Sequence, residues 1–106
     1  MRNEIIVRKM TNYIDKVLSY LSGCDFASFS QNSLIVDACV FNLSQLGELT
    51  TKLDKEFVLK HPDIPWNEMR GLRNKIVHDY EGVNLKLVWE IVSDDLPELK
   101  KQLDKI

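Results

Sequence analysis

The sequence runs to 106 residues, 44% of them hydrophobic and 28% charged, with a formal net charge of −2. That length suits one hydrophobic core and excludes two, so residues 1–106 are expected to form a single domain. The charge excludes a global positive field, so any contact with nucleic acid has to use a local patch.

The two cysteines, Cys24 and Cys39, are too few for a disulfide framework and form no Cys-x-x-Cys pair. They read as free thiols. Charges interrupt the apolar residues of the N-terminus, which lacks the apolar core of a signal peptide, and no window approaches the roughly 20 apolar residues of a membrane span. A cytoplasmic protein with no membrane contact is expected. With only 4 glycines and 3 prolines, the composition leans towards helix.

Over residues 3–21 the apolar positions Ile6, Met10, Tyr13, Ile14, Val17, Leu18 and Leu21 recur at spacings of three and four, which predicts an amphipathic helix stopped at Gly23. The segment SGCDFASFSQNS reads as a loop, with Ser30 or Asn32 as the cap of the next helix. That second helix is predicted over residues 32–54, with Leu34, Ala38, Phe41, Gln45, Leu46, Leu49 and Leu53 on one face. Gly47 costs it about 1 kcal/mol relative to alanine, which suggests either close packing against another backbone or simple tolerance.

Residues 55–60 read as a short helix or turn ended by HPDIP. Pro65 suits the first position of the next helix, expected over residues 66–78, and DYEG breaks its pattern. Asn84 is a good N-cap for a last helix, in which Leu85, Val88, Val92, Leu96, Leu99, Leu103 and Ile106 keep one phase across Pro97. Phase continuity predicts one kinked helix. No strand is expected, and the fold class is all-α, an antiparallel bundle of four to five helices.

Within RNKIVHDY, residues 73–80, one residue stands out. On an ideal helix Trp66, Met69, Ile76, Val77 and Tyr80 fall within about 60° of Arg73, which places a permanent charge in an apolar stripe. Desolvating a guanidinium is costly without partners. Two explanations are open: an ion pair with an acid such as Glu48 on the second helix, or an arginine held for phosphate at an interface.

His78 bears on that choice, because histidine exchanges protons near neutral pH. Two imidazoles and a cation suffice for metal-free RNA cleavage. One chain offers only His61 and His78, and His61 sits in the HPDIP turn at no useful spacing. A homodimer packing this helix on its symmetry mate would bring two copies of Arg73 and His78 together. On a straight helix the two residues lie about 140° apart and roughly 7.5 Å along the axis. Either the helix loosens before Asp79, or Arg73 of one copy meets His78 of the other.

The stretch from Ile64 to Leu99, IPWNEMRGLRNKIVHDYEGVNLKLVWEIVSDDLPEL, resembles the HepT-like branch of the HEPN domain family, whose hallmark is Arg-x4-His-x-Tyr. Arg73, Asn74, His78 and Tyr80 match it position by position. Pro65-Trp66, Val88-Trp89, Leu96-Pro97 and Gly47-Glu48 extend the likeness to about two thirds of the chain.

The resemblance implies a five-helix domain that forms a homodimer, a metal-independent endoribonuclease acting on RNA, and the toxin of a toxin–antitoxin pair. Its antitoxin would be a minimal nucleotidyltransferase that transfers AMP to the motif tyrosine. Carried over, Arg73 and His78 would be catalytic, Asn74 would bind or orient phosphate, and Tyr80 would accept AMP; Arg70, outside the motif, is a further candidate contact to phosphate. No cofactor is implied. The alternative is a non-catalytic module in which the same dimer groove holds a nucleotide or the nucleotidyltransferase.

Plainer roles stand beside these. Trp66 and Trp89 suit the core, and Lys52, Lys55 and Lys60 suit a solvated face, or an extension of a groove containing Arg70 and Arg73. No metal site emerges, since His61 and Asp63 have no third ligand at a recognisable spacing.

Overall fold

The computed structural model describes residues 2–78 and 82–106. Helix α1, Arg2–Tyr20, buries Ile6, Val7, Met10, Ile14 and Val17 on the expected face. The chain leaves it through Gly23, whose φ of +79° lies in the left-handed region that glycine enters without strain.

The segment predicted as a loop contains a helix, α2, Phe26–Gln31. Its start is a reciprocal cap: the Ser28 N–H donates to Asp25 Oδ1 at 2.8 Å, and the Asp25 N–H donates to Ser28 Oγ at 3.0 Å. Phe29 then anchors the short helix, fully buried. Asn32 ends α2 and caps α3, Ser33–Thr50, by accepting from the Ile35 N–H at 3.2 Å.

Helix α3 is the centre of the bundle. It packs on α1, and further along on α5 and α6. The buried face matches the predicted one only in part: Leu46 and Leu53 are buried as expected. Val36, Cys39, Leu43, Leu46 and Thr50 point inward, whereas Leu34 is 81% and Phe41 59% exposed. Both rows have helical spacing, so periodicity alone does not select between them. Two polar side chains enter the core on this helix and are satisfied within it: Asn42 Nδ2 donates to the Ala38 carbonyl, and Thr50 Oγ1 to the Leu46 carbonyl.

Helix α4, Lys55–Lys60, leads to the His61–Pro65 turn, where the indole N–H of Trp66 donates to the His61 carbonyl at 2.9 Å. The helix expected over residues 66–78 is two: α5, Trp66–Arg70, and α6, Leu72–Ile76. They break at Gly71, with φ −91° and ψ 3°. Any residue can adopt that conformation, so the break reflects glycine's weak helix propensity and not strain.

Beyond Ile76 the chain is extended. A two-residue antiparallel ladder, unforeseen in the sequence, pairs β1, Val77–His78, with β2, Gly82–Val83. The Asn84 N–H donates to the Ile76 carbonyl at 2.8 Å. Asn84 also caps α7, Leu85–Glu90, as expected.

One helical rod then runs from α7 through a π-helical turn, Ile91–Asp95, into α8, Leu96–Asp104. The Leu96 N–H reaches back five residues to the Ile91 carbonyl. Pro97 explains it: a proline lacks an N–H and crowds the carbonyl four residues earlier, and the widened turn absorbs both effects. The expected kink therefore takes the form of a π turn, and Val88, Val92, Leu96, Leu99 and Leu103 keep their common buried face across it. Trp66 is buried, and the half-buried Trp89 stacks on Phe29 at 5.3 Å. The architecture is an all-α helical bundle.

Candidate functional site

Of the candidate residues, Arg70, Arg73 and Asn74 lie on the α5–α6 segment, and Gly47 on α3 fixes where that segment sits. A Cβ built on Gly47 would lie 2.6 Å from the Met69 carbonyl oxygen. The two backbones approach so closely that only hydrogen fits, which answers the question Gly47 posed in the sequence.

From that crossing Trp66, Met69, Leu72 and Ile76 turn into the core. Arg73 does not occupy the centre of their stripe. The break at Gly71 and the stop at Ile76 leave Leu72 buried and Arg73 exposed, because the ideal-helix projection assumed a continuous turn that the chain does not make.

Among the described residues the one ion pair joins Lys100 to Asp15, so Glu48, exposed on α3, forms none with Arg73. Asn74 is exposed beside it. Arg70 is exposed on α5 and directs one donor to Asn67 Oδ1 at 3.0 Å. Arg73 is therefore an exposed cation without a carboxylate partner among the described residues, not a charge buried in the core. It presents a fork suited to a planar or tetrahedral oxyanion.

The ideal-helix projection that set Arg73 and His78 about 140° apart does not apply to this backbone. Val77, at φ −111° and ψ 120°, is extended, so the helix loosens before Asp79 and the backbone of His78 belongs to the ladder opposite Gly82. Tyr80, the expected modification site, lies outside the described residues.

His61 stays in the turn before α5, its ring tilted by 53° against Phe57 at 4.8 Å and its backbone carbonyl accepting from Trp66. Lys52, Lys55 and Lys60 are exposed. No helix among the described residues is long and apolar enough to cross a membrane.

Among known proteins, the family model described as ribonuclease HepT-like matches residues 10–106. A protein of Caldanaerobacter subterraneus subsp. tengcongensis, named as a candidate RNase, is 37% identical over 90 residues, covering 85% of this chain and 80% of that protein. Another so named, from Methanocaldococcus jannaschii, is 35% identical over 95 residues, 90% of this chain and 82% of its own length. A protein of Thermococcus cleftensis named probable ribonuclease HepT is 36% identical over 69 residues, 65% of this chain and 63% of its own. No solved structure matches the chain.

Proposed function

The chain belongs to the ribonuclease HepT-like family, and from that membership we propose that it is a metal-independent endoribonuclease, the toxin of a toxin–antitoxin pair, with its site in a groove between two copies of the chain. The observation that supports this most is the exposed Arg73. It has no carboxylate partner among the described residues, on a helix that ends three residues later and turns directly into the strand carrying His78.

Each copy contributes one His78. One imidazole takes the proton of a ribose 2′-OH, and the 2′-oxygen attacks the adjacent phosphorus. The other imidazole protonates the departing 5′-oxygen. The products are a 2′,3′-cyclic phosphate and a 5′-hydroxyl. Arg73 donates to the non-bridging oxygens as negative charge builds on the phosphorane, while Asn74 and Arg70 hold neighbouring phosphates.

Tyr80 is the point of control. A partner nucleotidyltransferase joins the phenolic oxygen to the α-phosphorus of ATP and releases pyrophosphate, and the attached AMP then fills the RNA site with an anion.

The test is cleavage of total cellular RNA in EDTA by wild-type protein whose Tyr80 is confirmed unmodified by mass, beside Arg73→Ala and His78→Ala. Fragments ending in 2′,3′-cyclic phosphate are expected from wild type, reduced by about 10²- to 10⁴-fold in each variant. Activity abolished by the chelator, or unchanged in His78→Ala, contradicts the proposal.

A further inference from the structure

Away from Arg73, α5–α6 and the α7–α8 rod enclose an open groove of about 600 Å³, within the usual size range of binding pockets. Its floor is apolar, formed by Met69, Leu72, Leu87, Ile91, Leu96 and Leu99. Its rim carries five carboxylates, Asp63, Glu68, Asp94, Asp95 and Glu98, against one cation, Lys75. The π turn supplies two of them, Asp94 and Asp95. At one end Gln102 donates to the Asp63 carbonyl at 2.9 Å and ties α8 to the loop before α5.

None of the five carboxylates has a salt-bridge partner among the described residues. The rim sums to −4 while the whole chain is −2, so the rest of the molecule carries +2. The negative field is therefore concentrated here. Such a rim repels a phosphate backbone. It also disfavours a second copy docking groove to groove, because a two-fold contact sets the same carboxylates against one another. An apolar floor edged by acid suits a segment with apolar side chains flanked by cations.

We infer that this groove docks a basic amphipathic segment of a partner protein, apolar residues seated on Leu72, Ile91 and Leu99 and lysines or arginines paired with Glu68, Asp94 and Glu98. Such docking depends on the groove alone and is independent of whether the chain cleaves RNA.

The test uses the labelled synthetic peptide LKKLLKKLLKL, followed by fluorescence anisotropy, against the full chain. Two doubly substituted proteins of equal net charge are compared: Asp94→Lys/Glu98→Lys in the groove, and Asp37→Lys/Glu56→Lys at exposed positions outside it. The groove variant is expected to raise Kd by at least about tenfold and the control by less than about twofold. A peptide with every leucine replaced by serine, its charge unchanged, is expected to bind at least about tenfold more weakly than the parent.

Equal loss in both proteins, or full binding of the serine peptide, overturns the inference, since charge alone would then explain the affinity. So does a wild-type dimer that the groove substitutions convert to monomer in sedimentation velocity, or RNA binding lost only in the groove variant. Should the lysine pair fail to fold, Asp94→Asn/Glu98→Gln against Asp37→Asn/Glu56→Gln carries the same comparison at equal net charge.

Discussion

Gly47 lies against the backbone of Met69, and a Cβ at that position would meet the Met69 carbonyl oxygen at 2.6 Å. The contact is with main chain and not with the end of a flexible side chain, so relief requires α3 and α5 to separate. Gly47→Ala gains about 1 kcal/mol of helix propensity and loses more to overpacking, for which costs of about 1 to 3 kcal/mol are usual.

Thermal unfolding of Gly47→Ala should therefore show a lower Tm, with RNA cleavage reduced further because Arg70 and Arg73 ride on the displaced segment. Gly71→Ala is the internal control. The nearest atom to its Cβ is 3.9 Å away and its φ is negative, so it should be neutral or stabilising by up to about 1 kcal/mol. Equal destabilisation by both substitutions would show that the crossing is not what Gly47 protects.

The cap of α2 makes a pH-dependent prediction. Hydrogen bonds from the Ser28 backbone N–H and hydroxyl hold the Asp25 carboxyl below its ordinary 3.8. A depressed pKa in the folded state contributes stability that is full above the unfolded value and disappears as pH falls through the folded one. Asp25→Ala should thus unfold at lower temperature than wild type at pH 7. The gap should close as pH is taken below 3.8. A gap that stays constant down to pH 2 would mean the ionised cap contributes nothing.

The thiols differ in the opposite sense. Burial pushes Cys39 up to about 11 from 9.0, while Cys24 is partly exposed. A thiolate-specific reagent at pH 8 should label Cys24 quickly and leave Cys39 unreacted until the chain unfolds. Because the folded pKa is raised, the contribution of Cys39 to stability is intact below pH 9 and is lost as pH rises towards 11. Rapid labelling of both thiols in folded protein would contradict this.

Helices with one apolar stripe were legible in the sequence. Residues 3–21 anticipate α1 closely, and the shared phase of Val88, Val92, Leu96 and Leu99 identified a continuous rod across Pro97. Where two rows compete, pattern fails: Leu34 and Phe41 match helical spacing as well as Val36, Cys39 and Leu43 do, and tertiary packing decided between them.

Helix α2 was missed because FASFSQ holds only two large apolar residues, although the Asp25-x-x-Ser28 pair was a capping signal in plain view. Arg73 stood out as a charge within an apolar stripe, but its exposure depends on the break at Gly71, which periodicity assumes away. The acidic groove arises between segments distant in the chain, so SDDLPE gave no sign that Asp94 and Glu98 would face Glu68.

A groove built from two copies of the chain requires both His78 side chains at once, one as base and one as acid. The decisive measurement is RNA cleavage by dimers formed from wild-type and His78→Ala chains, unfolded together and refolded at a series of ratios. If each site needs both histidines, activity follows the square of the wild-type fraction, about a quarter at an equal mixture. Activity proportional to the wild-type fraction, half at an equal mixture, would mean that each chain works alone and would contradict the composite site.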